Sequence, residues 1–408
     1  MRSNPDISTS GTLTKTPITQ LMKHMWIIIF FLLPIVGLGY TLWHIWQVLP
    51  FSSLWRWTAI GIATLLFASI FLTFSNAIER MPLNVASIAY EIGTSAIFIL
   101  LYLVMTFLLL DLGRLLHIIP KDWLHSNAIT SSAIALAMLA IFGYGHMRYN
   151  SKVRVASSIS TDKSFSIDAT AQKDAPQNAT DVKIVLMSDL HLGYHNRKGE
   201  LKRWIDMVNA EQPDLILIAG DIIDISTRPL IEEQMAKEFN MLRAPIYACL
   251  GNHEYYSGES KAQQFYEEAG IHLLRDSVAT IGDADSRHGV LRIIGRDDRS
   301  NLHRKPLSQI VKQAGIDREH DFTILLDHQP YHLEEAEENG IDFQFSGHTH
   351  HGQIWPVSWI TDAIYEDAFG PLRKGYTHYY VSSGMGIWGG KFRIGTQSEY
   401  MVLTIKQR

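Results

Sequence analysis

Four long apolar runs occupy the first 150 residues, at 26–49, 54–78, 92–113 and 127–147, and no polar face recurs within them at helical spacing. A hydrocarbon core of about 30 Å is crossed by about 20 residues of helix, so each run is long enough to span it. The pattern predicts a polar tail over 1–25 and a domain of four transmembrane helices over 26–150. The first run is too long for a secretory leader and has three companions. Trp26, Trp43, Trp46, Trp55, Trp57 and Trp123 lie near the span ends, where an indole meets apolar chains on one side and water on the other.

The texture then changes. Residues 151–181 read as a linker rich in Ser, Thr, Ala and Asp, in which VRV and SFSI could form short edge strands. From 182 to 408, short β-rich runs (KIVLM, DLILIA, IYACL, FTILL, FQF, YYVSS, YMVLTI) alternate with helical stretches such as 198–211 and 228–242. That alternation predicts an α/β catalytic domain built on buried sheets.

Composition agrees with the split. Only 19% of the 408 residues are charged, against about 25% in an ordinary soluble domain. Residues 1–150 hold 8 of the 36 Lys and Arg and 5 of the 41 Asp and Glu, so the first part is net positive and the second acidic. Neither part has the basic block that phosphate-backbone binding needs, which argues against nucleic acid as the main partner, and no protein partner is evident. The single Cys249 excludes an internal disulfide and a cysteine-based zinc finger. Arg2, Lys15, Lys23, Arg80, Arg148, Lys152 and Arg154 flank the spans on one side, against Arg56, Arg114 and Lys121 on the other. The excess predicts a multi-pass integral membrane protein with both termini and the catalytic domain in the cytoplasm. Asp111 and Arg114, three apart, are placed to pair on one helix face.

Five strands end in chemistry. KIVLM runs into Asp189 and His191, DLILIA into Asp221 and Asp224, and IYACL into Asn252, His253 and Glu254. FTILL runs into His328, and FQF into His348 and His350. Ligands of open α/β sheets bind beyond the carboxyl ends of strands, so these clusters should converge. Asp189-x-His191 and His348-x-His350 would each point one way along extended backbone. Glycines at 220, 251 and 347 suit sharp turns there. Imidazole and carboxylate without thiolate suit Mn, Fe, Zn or similar ions, and the seven candidate ligands Asp189, His191, Asp221, Asn252, His328, His348 and His350 are too many for one tetrahedral ion.

The series DLH, GDIID, GNHE, DHQP and GHTH resembles the calcineurin-like metallophosphoesterase superfamily over roughly residues 150–405. GHTHHGQIWP is most similar to the membrane-associated bacterial branch, with His351 standing where glycine is usual. The resemblance implies a four-layer α/β/β/α sandwich and two divalent metal ions. It places Asp189, His191 and His350 on one ion, Asn252, His328 and His348 on the other, and Asp221 as the bridge. It makes His253 the acid that protonates the leaving oxygen after attack by a metal-bound hydroxide. Asp224 and Glu254 become supports that orient histidines. It also implies hydrolysis of a phosphodiester, phosphomonoester or pyrophosphate on a small molecule or lipid, such as a UDP-diacylglucosamine-type precursor in a bacterial inner membrane. The alternative is a non-catalytic membrane scaffold or sensor domain, which the filled ligand positions disfavour.

Two further stretches carry expectations. GMGIWG at 384–389 mimics a dinucleotide fingerprint but is followed by another strand rather than a helix, and it resembles a glycine-rich loop of this branch. Beside it, Lys391 and Arg393 are candidates for contact with a substrate phosphate. Residues 352–376 form a long aromatic excursion expected to line the pocket and touch the bilayer.

Overall fold

The computed structural model describes residues 32–165, 167, 181–282 and 289–408, so the predicted tail 1–25 and the start of the first apolar run lie outside the described residues. The chain forms two compact units. One comprises residues up to Phe67 with Ile99–Ala135, and the other Ala68–Phe98 with Leu136–Arg408.

Among the described residues, three helices are long and apolar enough to cross a membrane: Ser53–Thr73, Leu83–Leu115 and Ala128–Asn150. The first predicted run is represented by the helix Leu33–Val48. Asp111 does more than pair along its own helix with Arg114, 3.5 Å away. Tyr40 donates its hydroxyl to Asp111 at 2.8 Å and His44 Nε2 lies 3.0 Å from the same carboxylate, tying Leu33–Val48 to Leu83–Leu115.

The helix Leu83–Leu115 has 33 residues, about 50 Å of rise, and so exceeds the hydrocarbon core by about 20 Å. Near its start Ala86, Tyr90 and Thr94, four residues apart on one face, are fully buried. Ala86 and Tyr90 share a small apolar cluster with Ile78 and Tyr194.

Two six-stranded sheets form the part of the chain that follows the last of these helices. The first is ordered β1-β12-β2-β3-β4-β5, from β1 (Lys152–Thr161), β12 (Ser398–Gln407), β2 (Val182–Met187), β3 (Leu215–Ala219), β4 (Ile246–Cys249) and β5 (Ile271–Leu273). The second is ordered β10-β11-β9-β8-β7-β6, from β10 (Gly370–Lys374), β11 (Thr377–Val381), β9 (Phe343–Ser346), β8 (Phe322–Leu326), β7 (Leu291–Gly295) and β6 (Ser277–Ile281). Alternation along each strand makes the layers. Ile184, Leu186 and Leu217 meet Ile293, Ile324 and Phe345 between the sheets. Val185, Ile216 and Ile218 turn outward onto Leu201, Trp204 and Phe265, and Ile294 and Leu325 onto Leu307 and Ile310. The result is the expected α/β/β/α sandwich.

The stretch read as a linker begins as structure. With only Ser151 after the helix Ala128–Asn150, Lys152–Thr161 runs parallel to β12 in register from Lys152↔Ser398 to Thr161↔Gln407, at the edge of the first sheet.

Candidate metal centre

β2, β3 and β4 are parallel neighbours in one sheet, and β8 and β9 in the other, so five loops emerge at the carboxyl ends of their strands. The way the side chains converge differs from the expected extended pleat. Asp189, His191, Asp221, His348 and His350 all have positive φ, at 54°, 45°, 52°, 71° and 48°. Left-handed backbone at a non-glycine residue costs about 1–3 kcal/mol and persists only where the surroundings over-determine it. His351, also at φ 48°, adopts the conformation that glycine would take freely, with its ring stacked on Phe369.

Hydrogen bonds hold these turns. The amide of Asp189 donates to Gly220 O at 3.1 Å, that of His191 to Asp221 O at 2.9 Å, and that of His348 to Asp189 Oδ1 at 3.0 Å. Glu254, expected to orient a histidine, instead accepts the amides of Asp221 (3.0 Å), Ile223 (2.9 Å) and Gly251 (2.7 Å), pinning two loops to each other. A Cβ on Gly251 would collide with Asp221 Oδ1, and one on Gly347 with Asp189 Oδ2.

All seven expected ligands come together. Donor atoms of Asp189, His191 and His350 lie within 4.8 Å of one another, as do those of Asp221, His328 and His348, and those of His191, Asp221 and His253. His191 Nε2 is 3.0 Å from His350 Nε2, and His350 Nε2 is 3.5 Å from Asp189 Oδ1. Asn252 Oδ1 is 2.8 Å from His348 Nδ1. Asp221 Oδ2 stands between the two groups, 3.7 Å from His191 Nε2 and 3.1 Å from His328 Nε2.

These residues fit a divalent ion. His328 Nδ1 donates to Ala219 O at 2.7 Å, which turns its Nε2 lone pair toward the Asp221 carboxylate. Two electron-rich atoms at that distance need a cation or a proton between them. His350 Nδ1 is buried and also makes no hydrogen bond. Burial pushes His348 down to about 4 and His350 well below the usual imidazole range, leaving both neutral, as ligands must be.

Asp224 lies beside two of these imidazoles. Its Oδ1 lies 3.3 Å from His191 Nδ1 and 3.2 Å from His253 Nδ1. Burial opposes its charge, but the contacts with His191 and His253 hold it well below the usual carboxylate range. For His253, burial is outweighed by the Asp221 charge and the Asp224 contact, which push it up to about 9.

Arg393 requires correction. It is fully buried and donates to Ser398 Oγ and to the carbonyls of His350, Ser383, Gly384 and Gly386, so its guanidinium is enclosed by the protein's own acceptors rather than presented to a substrate phosphate. Lys391 is taken up by Glu200 at 2.8 Å. The GMGIWG loop buttresses the first motif, with Met385 N donating to Ser188 O at 3.0 Å and Gly386 N to Asp189 O at 2.9 Å.

Other neighbours escaped the sequence reading. Buried Asp298, just beyond β7, accepts both contacts of Gln329 Nε2, at 2.9 and 3.1 Å, and the strand-end rule applied to a sixth strand would have found it. The Arg299 guanidinium lies over Tyr331 at 4.8 Å, Tyr331 packs on Tyr365, and Tyr365 stands edge-on to His348 at 6.2 Å, forming a cationic and aromatic wall. Tyr90 donates to Asp224 Oδ2 at 2.6 Å across 134 residues, and nothing local in the sequence announces it.

Residues 182–352 match the family model for calcineurin-like phosphoesterases. An uncharacterized metallophosphoesterase of Campylobacter jejuni is 31% identical over 57% of this chain, which spans 61% of that protein's length. One from Aquifex aeolicus is 30% identical over 58% of this chain and 90% of its own length. A Danio rerio transmembrane protein with metallophosphoesterase domain is 27% identical over 75% of this chain and 71% of its own, so the likeness is not confined to bacteria. With its ligand motifs at five strand ends of a two-sheet sandwich, the chain belongs to the calcineurin-like phosphoesterase family.

Proposed function

We propose that the chain is a membrane-anchored phosphoester hydrolase working with two divalent ions, Mn, Fe, Zn or similar. Asp189, His191 and His350 would hold one, Asn252, His328 and His348 the other, and Asp221 would bridge them. The position of Asp221 Oδ2 between His191 and His328 carries this reading. Bound ions supply Lewis acidity and an activated water. The chain supplies the rest. Asp224 takes the Nδ1 side of His253, which leaves Nε2 to hand a proton to the leaving oxygen.

The surroundings support one substrate class. The helix Val357–Ile364, just after the His348 and His350 ligands, exposes Trp359 (64%), Ile360 (57%) and Ile364 (53%). The residues just before it connect, through 392–394, to the end of a membrane-length helix: Trp355 N donates to Ile394 O at 2.7 Å, Arg393 N to Gly145 O at 2.9 Å, and Phe142 packs on Phe392 at 4.8 Å. Amphipathic helices with tryptophan on the apolar face bind the bilayer interface. A lipid-linked phosphodiester or pyrophosphate, such as a UDP-diacylglucosamine-type precursor, fits that setting, with Arg299, Tyr331 and Tyr365 facing its polar part. The loop charges favour a multi-pass protein of a bacterial inner membrane with the centre in the cytoplasm.

The test uses full-length protein in detergent, supplied in turn with Mn, Fe, Zn, Ni and Co. Hydrolysis of a bis-aryl phosphate is compared with that of a mono-aryl phosphate, then with lipid pyrophosphates in micelles. Turnover with at least one ion is expected, and none with any ion or substrate would return the chain to the scaffold reading.

A further inference from the structure

The carboxylate that positions two histidines of the centre is itself held by a helix of membrane-crossing length. Asp224 is fully buried and its two oxygens divide the work. Oδ1 faces His191 Nδ1 at 3.3 Å and His253 Nδ1 at 3.2 Å. Oδ2 receives the Tyr90 hydroxyl at 2.6 Å. His195 also approaches Oδ2, with Nδ1 at 3.9 Å, but its Nε2 lies 2.8 Å from Ile387 O and so carries the ring proton. Its Nδ1 makes no hydrogen bond, and the ring serves as a platform stacked on Tyr90 at 5.2 Å. The Tyr90 hydroxyl is therefore the donor that fixes the second Asp224 oxygen.

We propose that Tyr90 is a positioning residue for the metal centre, through which the helix Leu83–Leu115 sets the geometry of His191 and His253 by way of Asp224. Partners beyond the ligands orient imidazoles and fix their tautomers, and their loss costs about 10- to 100-fold in metal affinity or activity. The helix start is tied down separately. Arg228 donates to the carbonyls of Ile78 (3.2 Å), Glu79 (2.8 Å) and Met81 (2.8 Å), and Tyr194 donates to Glu79 Oε1 at 2.9 Å. Docking of the helix and support of Asp224 are thus separable by mutation.

This rests on the reading of the seven ligands as a metal centre, and the experiment distinguishes the two. Full-length wild type, Tyr90→Phe, Asp224→Asn, their double variant and Tyr194→Phe are compared in detergent. Mn2+ affinity is measured by competition with a chelating dye, kcat and KM with a bis-aryl phosphate, and Tm by thermal unfolding. Tyr90→Phe keeps the ring on His195. It is expected to bind Mn2+ about 10-fold more weakly and to lose kcat with KM within about twofold, at a Tm near wild type. The double variant should be little worse than Asp224→Asn, and Tyr194→Phe should keep its Mn2+ affinity. Unchanged Mn2+ affinity and kcat in Tyr90→Phe would overturn the proposal, as would equal losses in Tyr194→Phe. A wild type that binds no Mn2+ would instead overturn the reading of the centre.

Discussion

His191 Nε2 and His350 Nε2 face each other across 3.0 Å although 159 residues separate them. Beside them lie the buried carboxylates of Asp189 and Asp221. Such a cluster is self-repelling in part unless a cation neutralises it, so ion binding should stabilise the fold. A ligand at about 100 times its Kd adds about 2.7 kcal/mol, and each kcal/mol raises Tm by about 2–4 °C in a domain of this size. Thermal unfolding with and without a chelator checks this; coincident curves for every ion tried would contradict it.

The two roles assigned around Asp221 separate by substitution. Asp221→Asn removes the bridging charge and should empty the centre. His253→Ala should retain metal and lose about 10²- to 10⁴-fold in kcat. Elemental analysis beside kinetics decides, and equal metal loss in both variants would end that division of labour.

Arg393 now predicts a stability effect rather than a binding effect. Its buried guanidinium gathers the carbonyls of Ser383, Gly384 and Gly386 with that of His350. Hydrogen bonds to a charged group contribute about 1.5–3 kcal/mol each, and lysine cannot reproduce the planar fork. Arg393→Lys should cost at least about 3 kcal/mol by denaturant unfolding at nearly unchanged KM. Wild-type stability with a raised KM would restore the phosphate role.

Trp359 tests the interfacial helix in the intact protein. Trp359→Ser should raise KM for a lipid substrate in micelles several-fold and leave KM for a soluble aryl phosphate as it was. Equal effects on both substrates would assign the helix to the pocket alone.

The ligands were legible because each closes a strand, and strand ends in such sheets share one rim. Their backbone was not. Positive φ at Asp189 and His348 is imposed by hydrogen bonds from distant loops, which no local pattern reveals. Arg393 was misread because a charged residue in a glycine-rich stretch looks exposed, whereas the turn folds its carbonyls around the guanidinium. Tyr90 was hidden for a different reason: it lies just before the 92–113 apolar run, in a segment that reads as part of the anchor. The α/β layers were readable from alternation, while the edge position of β1 depended on a pairing with residues some 246 positions away, as for Lys152 and Ser398.

One residue, Ser151, separates the helix Ala128–Asn150 from the first strand of the sandwich. A flexible tether would let an enzyme head tumble and sample a hemisphere of solution. Here the strand leaves the helix with no such slack, so if that helix spans a bilayer, as its length and composition allow, the centre would be held at one height and facing above it. On the proposed function, a lipid-linked substrate would then meet the centre at that one height by lateral diffusion, and bilayer thickness would bear on its access.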